Sequence, residues 1–384
     1  MSQRSSQAQA PTIWIAVHDL SRTGVPVLLV TLLQAISPQQ RACVHVIAIS
    51  GGPLLSELRS LCATVTVVEP NEHRSVSEVA SLGLRTLGMA SAGDLVRHTV
   101  WRAKLARRPK PDVLVVHGAG AWPVAEVVGS AVPVVLHLQE LDTALDRSIP
   151  RNTQAAAFQR ARAVIAVSGP VAALAQRRGA QGNKILTIPG CVQLLPQRAT
   201  GDSTGLLNGS ERWVLGAGTP GWRKGTDRLA AVAHELVRAK SSVQVGWVGG
   251  QPNGPDAAAV GRADPVTWIP EQADPWPLLS RADVFVLPSR EDPLPLVALE
   301  AGVHRRAVVA MPTGGLPELF ADGRGMVGSS QDLRWFVGAV QQILNSPALA
   351  GEMGERLHDY VRTHHDADVI APAWFDVLSE HAQG

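Results

Sequence analysis

The 384-residue sequence predicts an α/β protein built from two doubly wound parallel-sheet domains. Short β-branched, apolar runs alternate with helix-like segments, which is typical of parallel strands buried on both faces. The alternation stops at residues 196–212, a stretch rich in Gly, Ser, Thr and Asn, and then starts again. A chain of this length exceeds what one core usually serves. We therefore expect domains at 1–195 and 213–365 on either side of a linker.

Each strand is predicted from a short apolar run bounded by turn residues. Residues 366–384 carry an apolar face with Trp374 and Phe375, and they predict a terminal helix that either packs toward the first domain or completes the second. Open parallel sheets bind ligands beyond the carboxyl ends of their strands, so the cleft between the domains is the expected active site. The predicted strands are residues 13–17, 44–49, 65–68, 113–116, 132–137 and 163–168, then 213–218, 243–249, 266–269, 284–287 and 307–310.

The composition is that of a folded protein, with 45% hydrophobic and 18% charged residues and a formal net charge of +2. This weak basicity permits anionic partners without requiring nucleic acid. The three cysteines, Cys43, Cys62 and Cys191, lack metal-ligand spacing and are interpreted as reduced thiols. The sequence has neither a signal-peptide core at its start nor a run of membrane-span length. These features predict a cytoplasmic protein with no nucleic-acid partner.

Carboxylates follow a predicted strand in the segment SREDPLPLVALEAG, residues 289–302. Pro293 and Pro295 suit the first turn of a helix, where a missing backbone N–H costs little. The amides of Leu296 and Val297 would then form an anion site at the start of that helix.

Asp292 would lie just before this helix, and Glu300 about one turn into it. Both carboxylates would be placed to accept hydrogen bonds from the hydroxyls of a sugar beside a diphosphate-sized anion site. The alternative is that the acids merely favour the positive end of the helix dipole. By itself, the segment leaves these two interpretations even.

A second segment, GAGTPGWRKGTDRL at residues 216–229, follows a strand and places Arg223 and Lys224 beside Gly225. Two cations at a glycine-rich strand end suit a nucleotide diphosphate, whose charge on leaving they would stabilise. The alternative is an ordinary exposed pair on the surface.

The same segment contains the spacing G-x-G-x-x-G through Gly216, Gly218 and Gly221, which raises a nicotinamide-dependent oxidoreductase as a rival. A dinucleotide site requires a helix that begins within the glycines and an acid at the end of the next strand. Here Pro220 and Trp222 intervene, and the next strand runs into GGQPNGPD without an acid at its tip. The dinucleotide interpretation is therefore the weaker one.

Two further glycine-containing segments are ordinary turns when taken singly. HDLSRTGVPVLLVTLL, residues 18–33, follows the first strand, and Gly24 allows its loop to approach a phosphate or a sugar. MPTGGLPELF, residues 311–320, places Gly314 and Gly315 directly before a short helix.

Together and in this order, the four segments resemble glycosyltransferase family 4, retaining sugar-nucleotide transferases of the GT-B fold. The resemblance covers nearly the whole chain, and SREDPLPLVALEAG and GWRKGTD are its most specific parts. It implies two Rossmann-like domains facing each other across a cleft, the first binding the acceptor and the second a nucleotide-diphosphate sugar. It also implies a hexosyltransferase-like enzyme that needs neither a metal nor a cofactor. Such an enzyme would act in bacterial glycan, glycolipid or glycosylated-metabolite synthesis, polysaccharide biosynthesis included.

Members of that family carry two acids separated by seven residues, a spacing that Asp292 and Glu300 fit. The resemblance implies that Asp292 contacts the donor sugar's hydroxyls and that Glu300 contacts the nucleotide ribose. Arg223 and Lys224 would hold the diphosphate, and Gly24 would bring the N-terminal loop against the donor or the acceptor. Donor contacts are also implied for Gly218, Leu294, Leu296, Val297, Gly314 and Gly315.

The chain departs from the family pattern in three places. The first acid is Asp292, where Glu is usual. Thr219 and Pro220 stand where many members have an Arg, so Arg223 is the candidate for that charge. Many members also place a His after the strand at 132–137, and His137 or Gln139 matches it; His137 is interpreted either as a donor-sugar contact or as a core-facing side chain.

For a retaining transferase, the resemblance implies front-face attack by an acceptor hydroxyl as the nucleotide diphosphate departs. No enzyme nucleophile is then required, and catalysis rests on positioning and charge stabilisation. The acceptor would be a sugar, a lipid-linked compound or a small molecule. A non-catalytic GT-B module that binds a sugar nucleotide is the third interpretation, motivated by the shortened acid and the missing Arg.

Two segments outside these motifs leave alternatives open. Residues 94–112 carry six Lys and Arg side chains around apolar residues. They predict either a basic amphipathic helix on an anionic membrane, peripheral at the inner face of the plasma membrane, or an ordinary surface helix. The sequence HHDAD, residues 364–368, has metal-ligand residue types but lies far from the other motifs, and is interpreted as a solvated turn.

Overall fold

The protein forms two parallel-sheet α/β units, which confirms the predicted fold class. The first unit contains Met1–Ala166, Ala172–Ile188 and Ala371–Gly384, and the second contains Val167–Val171 and Pro189–Ile370. The predicted linker at 196–212 lies outside the described residues except for Leu207 and Arg212. The computed structural model describes residues 10–69, 86, 89–194, 207, 212–239, 242–253, 257–258, 260 and 265–383.

The sheet of the first unit has seven described strands, and every neighbouring pair is parallel. Its central strands are buried along their whole length and are apolar except for His117 and His137, as expected for strands covered on both faces. In chain order the strands are β1 (Ile13–Val17), β2 (Val44–Ser50), β3 (Thr64–Glu69), β4 (Val113–His117), β5 (Val134–Leu138), β6 (Ala161–Ala166) and β7 (Ile185–Thr187).

Across this sheet the order is β3-β2-β1-β4-β5-β6-β7, so the chain reverses its direction of winding between β1 and β4. Such a reversal leaves a crevice beyond the carboxyl ends of the two strands, where ligands bind in open α/β sheets. The helices of this unit are α1 (Gly24–Ala35), α2 (Pro38–Arg41), α3 (Leu55–Leu61), α4 (Ala90–Leu105), α5 (Trp122–Val128), α6 (Asp142–Ser148), α7 (Arg151–Arg160) and α8 (Gly169–Arg177).

The sheet of the second unit has six described parallel strands, in the order β10-β9-β8-β11-β12-β13. Its switch point lies between β8 and β11. Apolar side chains cover both faces of the sheet and form two separate core clusters. The strands are β8 (Arg212–Ala217), β9 (Val243–Val248), β10 (Val266–Ile269), β11 (Val284–Leu287), β12 (Val308–Ala310) and β13 (Met326–Val327).

The helices that follow these strands complete the second unit. The last one, α15, supplies its residues from Ala371 onward to the first unit, where Trp374 is buried with its ring 6.3 Å from that of His137. The helices are α9 (Thr226–Arg238), α10 (Trp276–Leu279), α11 (Leu296–Val303), α12 (Leu316–Leu319), α13 (Leu333–Leu344), α14 (Pro347–His364) and α15 (Ala367–Gln383).

The basic segment at 94–112 begins within α4, whose apolar side is anchored in the first unit. Trp101 is fully buried, and its indole Nε1 donates to Glu69 Oε1 at 3.2 Å. Arg97 pairs with the same carboxylate at 2.8 Å, and Lys104 donates to the carbonyl of Val68. Leu95, by contrast, is exposed. Among the described residues, no helix combines the length and the apolar character needed to cross a bilayer.

The interpretation of HHDAD as a solvated turn is wrong for its second histidine. His365 is buried, and its Nδ1 lies 2.8 Å from the carbonyl oxygen of Gly190. The carbonyl of His365 accepts from the amide of Val192, and the carbonyl of Val192 accepts from the amide of Ala367. These bonds fix the corner between α14 and α15, because a buried imidazole needs a polar partner.

We predict that Glu69→Gln destabilises the protein by about 1 to 3 kcal/mol, because Arg97 and Trp101 both donate to this buried carboxylate. The midpoint of urea unfolding, followed by far-UV circular dichroism, measures the loss. Glu126→Gln on the exposed side of α5 is the matched control. Equal midpoints for the two variants would show that the carboxylate contributes no net stability.

Candidate functional site

Two loops meet at the carboxyl edge of the second sheet. One follows β8 and the other follows β11, and these strands are neighbours in the sheet. The amide of Arg290 donates to the carbonyl of Arg223 at 2.9 Å, and its guanidinium donates to the carbonyl of Trp222 at 2.9 Å. Because parallel neighbours end at the same edge, residues 68 positions apart become adjacent.

Lys224 and Asp292 form a close charged contact between these loops. The ammonium Nζ lies 2.6 Å from the carboxylate Oδ2, and only 4% of Asp292 is exposed. The Nη1 atom of Arg223 lies 3.7 Å from the same oxygen and donates to the carbonyl of Glu291 at 3.0 Å. The structure therefore brings Arg223, Lys224 and Asp292 together, although these candidate site residues come from two separate segments of the sequence.

A second ion pair connects the loop after β11 to the first turn of α9. Arg290 binds Asp227 through two hydrogen bonds of 2.7 and 2.6 Å, and its guanidinium carbon lies 5.2 Å from the ring centre of Trp222. The planar guanidinium thereby holds the side chain of Trp222 and the first turn of α9 at once. The sequence alone does not predict this pair, although Asp227, two residues after Gly225, is a signal for the start of a helix.

Glycine permits the close approach of the two loops. Gly225 has a φ of +71°, and a Cβ there would lie 2.1 Å from the carbonyl oxygen of Pro288. Helix α9 starts at Thr226, after the glycine loop and not within it. Strand β9 ends at Val248 and is followed by Gly249 and Gly250. Neither feature matches the dinucleotide pattern.

The first turn of α11 comes directly after the loop that contains Asp292. The helix begins at Leu296 with Pro295 as its N-cap, so the prediction that Pro293 and Pro295 lie in the first turn is wrong. The carbonyl of Pro293 instead accepts from the amide of Gly315 at 2.8 Å and from Ser168 Oγ at 3.0 Å. The amides of Leu296 and of the following Val297 are first-turn donors, for which a helix offers no internal acceptor.

The loop after β12 packs against the chain at Asp292. The backbone amide of Asp292 donates to Thr313 Oγ1 at 3.2 Å. Gly314 has a φ of +50°, and a Cβ there would lie 1.9 Å from the carbonyl oxygen of Asp292. Leu294 lies beside the neighbouring Gly315, where a Cβ would be 3.3 Å from its Cδ1. The sequence does not predict this contact of Thr313, because threonine in a turn carries no specific signal.

Glu300 lies in the second turn of α11, partly buried beside Trp276. Burial raises the pKa of its carboxyl group to about 7, and the charge of Asp274 adds to this shift. Contact with Trp276 and the charge of Lys224 act in the opposite direction. The Trp276 ring also stacks on His304 at 4.5 Å between ring centres. Glu300 is thus a carboxyl group poised to change its charge near neutral pH.

Two predicted site residues, His137 and Gly24, belong to the first unit. His137 lies within β5, is 2% exposed, and contacts His117 with 3.1 Å between their Nδ1 atoms. Burial lowers the pKa of His137 well below its usual value, so the ring is neutral. This geometry matches the core-facing interpretation of His137. Gln139, the other candidate, follows the strand end, and its Nε2 lies 3.0 Å from His117 Nε2.

Gly24 begins α1 after Thr23, which caps the helix without a side-chain hydrogen bond. Space beside its Cα is open, since a Cβ there would meet nothing within 4 Å. Gly218, at the end of β8, has a φ of +127°, and a Cβ there would lie 3.2 Å from Lys224 Cε. Gly218 thus leaves room for the lysine side chain, whereas Gly24 leaves its helix end uncovered.

We predict that Gly314→Ala destabilises the protein by about 2 kcal/mol or more, because its positive φ and the contact with the Asp292 carbonyl both exclude a Cβ. Gly338→Ala within α13 is the control, since a Cβ there meets nothing within 4 Å and alanine favours a helix. Urea unfolding of both variants measures the difference. A Gly314 variant as stable as the Gly338 variant would contradict the assignment.

A pH-dependent contribution to stability is predicted for Glu300. Its pKa is about 7 in the folded protein and 4.5 ordinarily, so the unfolded chain loses this proton first as pH rises. The free energy of unfolding should therefore fall between pH 4.5 and 7 because of this group. Glu300→Gln removes that contribution, so its stability relative to wild type should rise across this window. Urea unfolding at several pH values measures it, with the exposed Glu380→Gln as control; parallel curves for wild type and Glu300→Gln would contradict the prediction.

Comparison with known proteins identifies two family matches along the chain. The family described as "Glycosyl transferases group 1" matches residues 212–346, and the "Glycosyl transferase 4-like domain" matches residues 52–191. The first match includes both loops of the charged cluster, and the second includes β4, β5 and β6.

Curated relatives match only part of this chain. Glycogen synthase of Mycobacterium tuberculosis is 34% identical over 108 residues, which are 28% of this chain and 26% of that protein. D-inositol 3-phosphate glycosyltransferase of Streptomyces avermitilis is 33% identical over 140 residues, 33% of this chain and 30% of that protein. The chain thus spans between about a quarter and a third of the length of these relatives.

Among solved structures, Anabaena HepE in complex with UDP-glucose superimposes with a TM-score of 0.75. The match covers 96% of this chain and 99% of that one at 16% identity, so it speaks for the fold alone. Two consecutive family matches and one fold shared over nearly the whole length agree with each other. The chain belongs to the group 1 glycosyltransferases, as the resemblance of its sequence to glycosyltransferase family 4 implied, and it has the GT-B fold.

Proposed function

We propose that the protein transfers a sugar from a nucleotide-diphosphate sugar to an acceptor hydroxyl. The observation that carries this proposal is the joining of the loops after β8 and β11, which places Arg223, Lys224 and Asp292 around one point. The first turn of α11 follows directly, with Glu300 one turn further along. Cations, free amides and carboxylates in this order suit the diphosphate, the sugar and the ribose of one donor molecule.

The diphosphate would bind to Lys224, Arg223 and the amides of Leu296 and Val297. Lysine and arginine neutralise phosphate oxygens, and the start of a helix adds a partial positive charge. As the bond between the sugar and the phosphate breaks, negative charge grows on the leaving diphosphate. Preorganised cations stabilise that charge without further rearrangement. The proposed reaction therefore requires no metal ion and no other cofactor.

The carboxylates would orient the rest of the donor. Glu300 is assigned to the ribose hydroxyls and Asp292 to the hydroxyls of the transferred sugar, since ionised carboxylates accept hydrogen bonds. Asp292 is bound to Lys224 at 2.6 Å, so the donor has to engage this pair as a unit. The proposed donor contacts also include Gly218, Leu294, Gly314 and Gly315.

We further propose transfer with retention of configuration. In this scheme the acceptor hydroxyl attacks from the face that the diphosphate leaves, and the enzyme positions both partners. The relatives support the general activity: HepE was crystallised with UDP-glucose, and the aligned curated proteins are a glycogen synthase and an inositol-phosphate glycosyltransferase.

A second candidate is a GT-B module that binds a sugar nucleotide without catalysis. The burial of Asp292 against Lys224 favours it, because a carboxylate committed to an ion pair is less available to a sugar. A thermal-shift screen over UDP-, GDP-, ADP- and dTDP-sugars, followed by mass spectrometry of the best binder, separates the two. Slow donor hydrolysis supports the transferase; tight binding without hydrolysis or transfer supports the module. Stabilisation by a nicotinamide dinucleotide and by no sugar nucleotide would overturn both.

We predict that Lys224→Ala and Glu300→Ala each reduce donor turnover at least a hundredfold, because the first removes a cation from the diphosphate and the second removes a hydrogen-bond acceptor from the ribose. Glu291→Ala should have a milder effect, since the structure uses the backbone carbonyl of Glu291 to bind Arg223. Mass-spectrometric rates of donor hydrolysis or transfer measure the changes.

The control for these variants is Arg334→Ala, which removes an exposed cation from α13. Circular dichroism establishes that each variant is folded before its rate is compared. Wild-type rates in folded Lys224→Ala and Glu300→Ala would refute the assignment of the donor site. A loss in Glu291→Ala as large as in Glu300→Ala would show that the first acid is misassigned.

A further inference from the structure

Polar side chains converge at the carboxyl edge of the first sheet, beyond β1, β4 and β5. His18 and Asp19 follow β1, and Gln139 and Glu140 follow β5, while β4 lies between these strands and is followed by Gly118. These strand ends flank the reversal of winding in this sheet, where open α/β sheets bind ligands. The strands themselves are fully buried and apolar up to this edge except for the two histidines. Apart from the two histidines, the polar side chains therefore lie beyond the carboxyl ends of these strands, where a ligand would bind.

Asp19 is the fixed member of the cluster. Its Oδ1 accepts from the amide of Ser21 at 3.0 Å and from Ser21 Oγ at 2.7 Å, and its Oδ2 lies 2.9 Å from His18 Nε2. Burial acts to raise the pKa of Asp19, but the hydrogen bonds from His18 and Ser21 outweigh it and lower the pKa to about 2. Asp19 is consequently an anion over the whole physiological range.

The aspartate determines which nitrogen of His18 carries the hydrogen. An ionised carboxylate can only accept, so Nε2 must donate to it. In the neutral ring Nδ1 then has a lone pair, and it has no hydrogen-bond partner among the described residues. The His18 side chain is 41% exposed, so this acceptor atom belongs to a ring that a ligand can reach. Gly120 lies against the ring, where a Cβ would come within 3.3 Å of Cγ.

Glu140 adds a second carboxyl group to the same edge. It is 8% exposed and accepts from the amides of Ala119 at 2.8 Å and Gln139 at 2.9 Å. Burial raises its pKa to about 7. The ionised Asp19 and the partly ionised Glu140 disfavour an anionic ligand beside the His18 ring, because like charges in a partly buried site repel strongly. A hydroxyl group carries no such penalty.

We propose that His18 binds a hydroxyl group of an uncharged, polyhydroxylated acceptor, such as a sugar or a cyclitol, and that Asp19 positions its ring. This inference rests on the proposed function, because it assigns the acceptor of that reaction to the first unit. His18 touches the substrate through Nδ1. Asp19 acts through His18 and is a positioning residue.

The arrangement has a pH signature. In the described residues, the titratable groups that face His18 are Asp19, Glu140 and, from the end of β4, His117. The hydrogen bond to Asp19 is the largest influence, and it raises the pKa of His18 against the effect of burial. Only the neutral ring accepts a hydrogen bond, so the KM for the acceptor should rise as pH falls through the pKa of His18. In Asp19→Asn this change should move to lower pH.

The test uses the full chain with the nucleotide sugar that stabilises it most. The acceptor probes are myo-inositol and methyl glucoside, each compared with a phosphorylated counterpart, inositol phosphate and glucose 6-phosphate. We expect the uncharged member of each pair to be glycosylated preferentially. His18→Ala should raise the KM for that acceptor about tenfold while the KM for the donor changes less than twofold. His18→Gln, whose amide oxygen still accepts, should recover part of the loss.

His234→Ala, an exposed histidine of α9, is the control for removal of an imidazole. Equal acceptor KM values in wild type and His18→Ala, an Asp19→Asn profile identical to wild type, or preference for the phosphorylated acceptors would overturn the inference. Donor hydrolysis without transfer to either uncharged probe would also overturn it. Absence of both hydrolysis and transfer in wild type contradicts the proposed function instead, so the two failures are distinguishable.

Discussion

The ion pair between Lys224 and Asp292 is the contact on which the second unit's candidate site depends. Its 2.6 Å separation requires the loops after β8 and β11 to lie against each other, and the near-complete burial of Asp292 excludes water from the carboxylate. A buried charge without its partner is strongly destabilising, so neither residue can be placed independently. The pair therefore fixes the cation of the proposed diphosphate site and the acid of the proposed sugar site in a single arrangement.

Several features of the chain serve this arrangement. Arg290 and Asp227 join the same loops by a bidentate contact, while Gly225 and Gly314 bring backbone against backbone where any side chain would collide. Close packing of this kind holds the charged groups in fixed positions. Such positioning matters because a catalytic group that acts by charge and orientation tolerates little displacement. In the first unit, Asp19 and Glu140 organise the strand ends in a comparable way, but through hydrogen bonds to Ser21 and to backbone amides.

Much of the fold could be predicted from sequence because buried parallel strands have a distinctive composition. The apolar runs of β1, β4, β8 and β11 contain almost no polar residues, so they could be predicted as strands that alternate with helices. Strands β7 and β13 were not predicted, since three and two residues at the edge of a sheet carry no periodic signal. The start of α11 was misplaced around Pro293 for a similar reason: proline marks the neighbourhood of a helix start, not the residue.

The sequence by itself determined the two α/β halves, the order of the four motifs, and the residue types available for a nucleotide-sugar site. It could not decide between alternatives that depend on distance. The tertiary structure decided that Asp292 pairs with Lys224, that His137 faces the core, and that His18 is oriented by Asp19. The physical reason is that hydrophobic patterning acts along a strand or helix, whereas charges and hydrogen bonds act between strand ends that only folding brings together.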